Sequence, residues 1–148
     1  MPVYFHREDI AMPRMLNSGP WKHWIHTAAQ SKGYTIAELN YIFCSDAFLL
    51  EINNKYLEHD VYTDIITFDN SDTPGKIEGD IYISAERVKE NARKYGASFD
   101  HELARVISHG LLHLCGYKDQ SPAEKKIMRR EEQLVLKIAE DIGIRFNN

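Results

Sequence analysis

The stretch H-G-L-L-H-L-C-G-Y-K-D, residues 109–119, decides how the rest of the chain is interpreted. Two histidines stand four residues apart in a segment with helical periodicity, so both imidazoles lie on one helix face. On a helical wheel His113 falls roughly 40° from His109, while the apolar side chains fall at roughly 120° to 200°. Those apolar residues are Leu103, Ile107, Leu111 and Leu114. The segment predicts a central helix with a core stripe on one side and a histidine pair on the other.

A chain reversal follows the histidine pair. Gly116 is expected to end the helix, and Asp119 then returns towards the histidine face. A histidine pair at this spacing with a third ligand from the next turn is typical of metal sites, and three protein ligands with an open position are typical of catalytic zinc. Cys115 falls roughly 120° from His109 on the wheel, so it is interpreted as a packed residue. His109, His113 and Asp119 are therefore the candidate metal ligands and catalytic residues.

The residue after the first histidine argues against a metallopeptidase. In the motif H-E-x-x-H the glutamate at that position is the general base, and here the position is Gly110. Glu102 shares the ligand face but lies about 10 Å along the helix axis from His109, a distance that suits a supporting role. The three ligands alone are compatible with hydrolysis of an ester or an amide, and a peptidase is the less favoured interpretation.

The remaining sequence predicts four strands and about five helices. Strands are expected at 3–8, 35–44, 63–68 and 77–84, and helices at 20–33, 46–57, 85–95, 98–115 and 122–142, the last opened by the capping box S-P-A-E. Trp21 and Trp24 are interpreted as core residues. The other side chains expected to face inward are Ala37, Leu39, Tyr41 and Phe43 in the second strand, Phe48, Leu49, Ile52 and Tyr56 in the second helix, and Ile127, Leu134, Val135, Ile138 and Ile142 in the last helix.

The order of these elements predicts an α+β fold: a single layered domain with an about four-stranded mixed sheet and the histidine helix at its centre. A chain of 148 residues suits one domain. Two cysteines indicate no disulfide framework, and neither a signal peptide nor an apolar run of about 20 residues is present, so we expect a cytoplasmic protein. A net charge of −4 does not announce a nucleic-acid binder, although a local basic patch would suffice for phosphate contacts.

Three motifs resemble those of one family. Residues 109–119 are similar to the pattern H-G-x-L-H-L-x-G-Y-D-H of the YbeY family of bacterial endoribonucleases and ribosomal-RNA maturation factors. The segment Y-T-D-I-I-T-F at 62–68 resembles the family strand P-T-D-V-L-S-F, and G-D-I-Y-I-S at 79–84 resembles G-D-I-x-I-S. The resemblance covers the chain from about Ile52 to Asp119, with the motifs in the family's order and spacing.

The resemblance implies a function. Residues 1–148 would form one metal-dependent hydrolase domain, a single-strand-specific endoribonuclease in small-subunit rRNA maturation and ribosome quality control. One Zn²⁺ held by His109, His113 and Asp119 would activate water and stabilise charge on the phosphodiester. The implied partners are RNA, chiefly rRNA, and the ribosome or its proteins, with no membrane and no nucleotide cofactor. The alternative is a ribosome-assembly adaptor in which the metal is mainly structural.

The sequence departs from the family pattern at two places. Asp119 stands where the family has a third histidine, and Lys118 precedes it in place of aspartate. An oxygen ligand lowers the metal's Lewis acidity and makes a harder divalent metal an option beside zinc. Leu57 aligns with an arginine that the family often places against RNA, and the candidate replacements are His59, Arg87 and Arg105.

Two further groups lie near the motifs. Asp64 is expected to make a turn or edge hydrogen bond, and Asp80 to orient a ligand histidine from the polar face of its strand. A basic stripe follows the site: Lys125, Lys126, Arg129 and Arg130. Because Glu131 and Glu132 adjoin it, a solvated helix face is the simpler interpretation; contact with an RNA backbone or docking on a ribosomal partner is the functional one.

Overall fold

The structure is a computed structural model that describes residues 2–17, 19–57 and 63–146, without the side chains of residues 17 and 57. Within these ranges it contains four strands and five α-helices, which confirms the predicted α+β fold. The strands are β1 Val3–Arg7, β2 Thr35–Cys44, β3 Ile65–Asp69 and β4 Lys76–Ser84. The helices are α1 Gly19–Ser31, α2 Asp46–Leu57, α3 Ala85–Tyr95, α4 Phe99–Leu114 and α5 Pro122–Ile142, with a 3-10 helix at Arg14–Asn17.

The four strands form one mixed sheet in the order β1-β2-β4-β3. Strands β1, β2 and β4 are parallel, and β3 pairs antiparallel with β4. Because strand side chains alternate between the two faces, Ile65, Ile81 and Ile83 share the face that carries the larger core. Helices α1, α3, α4 and α5 pack on that face, whereas α2 covers a smaller cluster on the opposite face around Leu49 and Ile66.

A bulge in β2 overturns one predicted inward residue. Ile36 pairs with Ile77 and Glu38 with Glu78, so Ala37 is an extra residue between the two pairs. Such an insertion reverses the alternation on one side of it. Ile36 is accordingly buried and Ala37 exposed, while Leu39, Tyr41 and Phe43 face the core as predicted.

The inward face of α5 was also predicted only in part. Its capping box is confirmed, since the Ser121 hydroxyl accepts from the amide of Glu124 and the Glu124 carboxylate from that of Ser121. Ile127 and Leu134, however, are 41% and 50% exposed. The buried positions are Met128, Glu131, Glu132, Val135, Leu136 and Ala139, with Ile138 and Ile142 partly buried against them. Two of these buried residues are glutamates, so a prediction based on apolar residues alone assigns the wrong inward face to α5.

Two expectations about aromatic side chains had different outcomes. Trp21 and Trp24 are core residues, and the Trp24 indole nitrogen donates to the Val135 carbonyl at 2.8 Å. Tyr56 was predicted to face inward, but it is 61% exposed and touches Phe68 edge-on from outside.

Among the described residues no helix has both the length and the apolar character needed to cross a bilayer.

Candidate metal centre

Helix α4 lies directly on the sheet because of Gly110. A Cβ at this position would lie 2.8 Å from Ile65 Cδ1 and 3.1 Å from Ile81 Cδ1. Leu103, Ile107 and Leu111 fill the same side of the helix and are buried, as their wheel positions predicted. The position that would carry the peptidase glutamate therefore faces a packed sheet, and this contact disfavours the peptidase interpretation.

The turn after α4 brings the third candidate ligand back to the helix. Gly116 has φ of 95°, a left-handed conformation that a side chain would oppose. Its amide donates to the His113 carbonyl and the Tyr117 amide to the Leu112 carbonyl, both at 3.0 Å, which is the Schellman pattern of helix termination. The chain reverses within these residues, so Asp119 returns to the histidine face.

The three predicted ligands are brought together. One ligand atom from each of His109, His113 and Asp119 lies within 4.8 Å of the others, and no other group of this kind occurs in the described part of the chain. The two Nε2 atoms are 3.0 Å apart, and His109 Nε2 is 3.4 Å from Asp119 Oδ2. A zinc ion bound tetrahedrally at about 2.0–2.1 Å from each nitrogen would hold them about 3.3 Å apart, close to the observed spacing.

Hydrogen bonds at the far side of each ring fix the histidine tautomers. His113 Nδ1 is 3.0 Å from the Tyr117 carbonyl oxygen, and His109 Nδ1 is 2.5 Å from Glu132 Oε2. Both partners are acceptors, so each Nδ1 carries the proton and each Nε2 presents a lone pair. Two lone pairs at this separation repel each other, whereas a proton on one nitrogen or a metal cation between the two makes the contact favourable. The donor set thus fits a divalent metal.

Burial also favours metal binding by His113. Its partial burial, assisted by the nearby His109, lowers the pKa of the imidazole, and the contacts with Tyr117 and Asp119 only partly offset this. A lowered pKa keeps the ring neutral at physiological pH, the form in which histidine ligates a metal.

An ion-pair network stands behind His109. Glu132 is 7% exposed, and its second oxygen lies 3.5 Å from Arg105 Nη1. Arg105 also pairs with Glu102 at 2.7 Å and with Asp64 at 3.6 Å. Burial opposes the charge of Arg105, but these three carboxylates outweigh it and raise the pKa of the guanidinium. Glu102 thus contacts Arg105, and the network holds the carboxylate that orients His109.

A second set of contacts holds the loop that carries Asp119. The Tyr117 hydroxyl donates to Glu131 Oε1 at 3.2 Å, and the same oxygen binds Lys32, the residue that follows α1. The Lys32 ammonium lies 5.6 Å from the centroid of the Tyr117 ring. The hydrogen bond from Lys32 lowers the pKa of Glu131. Lys32 after α1 and Glu131 of α5 therefore hold the turn between the second and third candidate ligands.

The sequence interpretation missed Glu131 and Glu132 and misassigned Asp80. Both glutamates were taken as part of a solvated face; the signal for their burial was the i, i+3, i+4, i+7 spacing from Met128 through Val135. Asp80 accepts from Asn40 Nδ2 at 3.1 Å, on the sheet face opposite the core. The prediction that Asp80 orients a ligand histidine is wrong. Ile81 faces α4, and its neighbour Asp80 therefore points to the opposite face of the sheet.

The other predicted residues are placed as follows. Cys115 is buried as a free thiol outside the ligand group, and burial raises its pKa to about 12. Arg87 pairs with Asp46 at 2.7 Å. His59 and the side chain of Leu57 lie outside the described residues.

Two openings flank the three ligands. A cavity of about 220 Å³ is lined by His109, Asp119, Glu132, Arg105, Met128, Lys125 and Arg129. A cleft of about 470 Å³ on the other side is lined by Thr67, Asp69, His113, Leu114, 116–118, Asp119 and Gln120. Asp119 borders both, so a ligand could reach the centre from either direction.

Known proteins resemble this chain over most of its length. Residues 6–140 match the model of a protein family described as Endoribonuclease YbeY. A relative of that name from Cytophaga hutchinsonii is 49% identical over 136 residues, which cover 92% of this chain and 94% of the relative. Another from Bacteroides thetaiotaomicron is 44% identical over 92% of this chain and 98% of its own.

A solved structure shares the fold. The solution structure of TM1509 from Thermotoga maritima superposes with a TM-score of 0.65 and covers 94% of this chain and 89% of that protein. The two sequences are 24% identical, so this likeness supports the architecture alone.

Proposed function

The chain belongs to the endoribonuclease YbeY family, and from that premise we propose that it is a metal-dependent endoribonuclease that hydrolyses single-stranded RNA. Relatives that match nearly the whole chain carry the name of a hydrolase acting on RNA. The observation that supports a metal-dependent reaction here is the cluster of His109, His113 and Asp119, in which the two Nε2 atoms lie 3.0 Å apart and His109 Nε2 lies 3.4 Å from Asp119 Oδ2.

His109, His113 and Asp119 would hold one divalent cation, with Zn²⁺ the first choice and a harder ion an option because of the carboxylate. When bound, such a cation polarises a phosphodiester oxygen and makes water a stronger nucleophile at neutral pH. The roles of the surrounding residues follow from their contacts. Glu132 and the Tyr117 carbonyl keep the Nδ1 protons in place, so the two Nε2 atoms stay available as ligands.

The partial burial of the site strengthens its electrostatics. The side chain of His109 is 15% exposed and that of Asp119 is 32% exposed. A charge interaction gains strength when water is partly excluded, because the local dielectric constant falls. A cation held by these partly buried side chains would therefore act on a phosphodiester through a medium of reduced dielectric constant, and the two flanking openings give access to it.

The wider role rests on the family resemblance. We propose that residues 1–148 act as one hydrolase domain in the cytoplasm, on rRNA and in contact with the ribosome or its proteins. Small-subunit rRNA maturation and ribosome quality control are the processes in which this activity would serve. No membrane and no nucleotide cofactor enters the proposal.

The test compares His113→Ala and Asp119→Ala with the parent protein and with His23→Ala, which changes an exposed histidine on α1. Metal content is measured by mass spectrometry, folding by circular dichroism, and cleavage with a single-stranded RNA oligonucleotide. We expect the two ligand variants to fold, to lose bound metal and to lose cleavage, while His23→Ala retains both.

Two outcomes would contradict the proposal. A folded ligand variant that has lost its metal but cleaves at the parental rate would remove the metal from the reaction. A metal-loaded parent protein that binds ribosomes but cleaves no RNA would instead favour the assembly adaptor.

A further inference from the structure

The cations near the metal centre divide into two groups by their partners. Arg105 is surrounded by three carboxylates, and Lys32 is bound to Glu131. Arg87 is held by Asp46. These side chains are engaged within the protein, so none of them presents an uncompensated charge to a ligand.

Lys125 and Arg129 form the second group. Both are exposed, and within the described part of the chain neither forms an ion pair with a carboxylate. They line the cavity of about 220 Å³ that His109 and Asp119 also line. Two cations of the basic stripe therefore share one small space with two of the three candidate ligands.

Helix geometry explains why these two residues act together. They are four positions apart on α5, so their side chains project from one face of the helix. Met128 is 1% exposed and anchors that turn in the core, while the capping box fixes the helix start at Ser121. The backbone that carries the pair is thus held on both sides, and only the long side chains need to be ordered by a ligand.

The other half of the stripe differs. Lys126 and Arg130 lie one position further along the same helix and do not line the cavity. The Arg130 side chain is 69% exposed and lies 3.7 Å from Glu131. The chain thus provides a control pair with the same charge, on the same helix, that does not line the cavity.

We propose that Lys125 and Arg129 bind a backbone phosphate of the RNA next to the phosphodiester that is cleaved, so that the strand leaves the metal centre along α5. This inference rests on the proposed function and assigns the phosphate contact to α5. An arginine presents a planar fork to phosphate oxygens, and a lysine adds a mobile point charge. Since a water occupies about 30 Å³ in the liquid, the cavity has room for a group the size of several waters.

Local charge favours this direction over the opposite cleft. The cleft on the other side of Asp119 is lined by one cation, Lys118, and by the carboxylate of Asp69. On a protein of net charge −4, the attraction for a polyanion must come from cations placed at the site. The α5 cavity supplies two cations, Lys125 and Arg129, that form no ion pair with a carboxylate of the described chain.

The experiment uses metal-loaded full-length protein and a fluorescently labelled single-stranded RNA. Dissociation constants are measured by anisotropy, before appreciable cleavage, at several KCl concentrations. The double variant Lys125→Gln with Arg129→Gln is compared with Lys126→Gln with Arg130→Gln, which has the same net charge. A third variant, Lys125→Arg with Arg129→Lys, keeps both charges at the cavity.

We expect the substitution of Lys125 and Arg129 to weaken binding by about tenfold or more. The slope of log affinity against log salt should become shallower by roughly 0.7 for each phosphate that the variant no longer neutralises. The control pair should change affinity less than about threefold, and the charge-keeping variant should restore most of the binding. Equal effects of the two double variants, or no effect of the cavity pair, would overturn the inference.

Cleavage by the parent protein is recorded in parallel and tests the proposed function separately. A parent that binds RNA without cleaving it contradicts the nuclease, and the binding comparison still decides the role of Lys125 and Arg129.

Discussion

The two long faces of α4 are buried by different means. On the sheet side, Leu103, Ile107 and Leu111 bury apolar surface, and Gly110 lets the helix approach Ile65 and Ile81. On the opposite side the same helix carries Glu102, Arg105, His109 and His113. Each of these polar groups has a partner within 3.6 Å, supplied mainly by other elements. The comparison indicates that close apolar packing positions the sheet side of α4, whereas ion pairs and hydrogen bonds position its polar side.

Mutations should therefore distinguish the apolar packing of one face from the polar contacts of the other. A change on the sheet side should alter the free energy of unfolding and leave metal affinity unchanged in the folded protein. A change among the partners of the polar side should alter metal affinity more than it alters unfolding.

The largest expected effect is on the sheet side. Gly110→Val would place a branched side chain where even a Cβ comes within 2.8 Å of Ile65 and 3.1 Å of Ile81. Overpacking of this kind should lower the free energy of unfolding by about 2–3 kcal/mol, measured by urea denaturation of the metal-free protein. Gly19→Val is the control, because nothing lies within 4 Å of a Cβ there, and it should cost less than about 1 kcal/mol. Equal costs at the two glycines would contradict the close contact.

The next effect concerns the partner of His109. Glu132→Gln keeps the side-chain volume but removes the charge that faces His109 Nδ1 and Arg105. Removal of such a supporting carboxylate typically weakens metal binding by about 10–100-fold, and competition with a chromophoric chelator would measure it. Glu140→Gln changes an exposed glutamate on the same helix and should leave the affinity within twofold of the parent, by the rule of about ±0.5 kcal/mol for surface sites. If both variants bind metal as the parent does, Glu132 has no role in orienting His109.

The smallest effect concerns the loop of the third ligand. Tyr117→Phe removes the hydroxyl that donates to Glu131 at 3.2 Å. The loss of one hydrogen bond should reduce the free energy of unfolding by about 1 kcal/mol, with a metal affinity lowered by less than about tenfold. Tyr95→Phe, at a tyrosine that is 63% exposed, provides the matched control and should be near neutral. If Tyr117→Phe changes neither the free energy of unfolding nor the metal affinity, the hydrogen bond to Glu131 is not needed to hold Asp119.

The same contrast explains what the sequence could predict. Helix α4 was predicted with both of its faces because the apolar stripe and the histidine pair have helical spacing within one short segment. Gly116 and the residues after it encode the turn locally, so Asp119 could also be placed near the histidines. Local periodicity and local turn chemistry were sufficient to predict that His109, His113 and Asp119 lie together.

Interactions between distant segments were not predictable in this way. Glu132 follows His109 by 23 residues, and the helical spacing that indicates burial of Glu132 does not identify the imidazole that it contacts. The exposure of Ala37 depends on a bulge that strict alternation cannot represent. Asp80 was predicted to contact a ligand histidine because it lies within a family-like motif, but the alternation of side chains along β4 places it on the other face of the sheet.

The most direct test of the account is X-ray absorption spectroscopy at the zinc edge on protein loaded with one equivalent of Zn²⁺. We expect two imidazole ligands together with oxygen neighbours, all at about 2.0–2.2 Å, because His109 and His113 supply nitrogen atoms and Asp119 supplies a carboxylate oxygen. A sulfur neighbour at about 2.3 Å, as Cys115 would provide, or fewer than two imidazoles would contradict the centre formed by His109, His113 and Asp119.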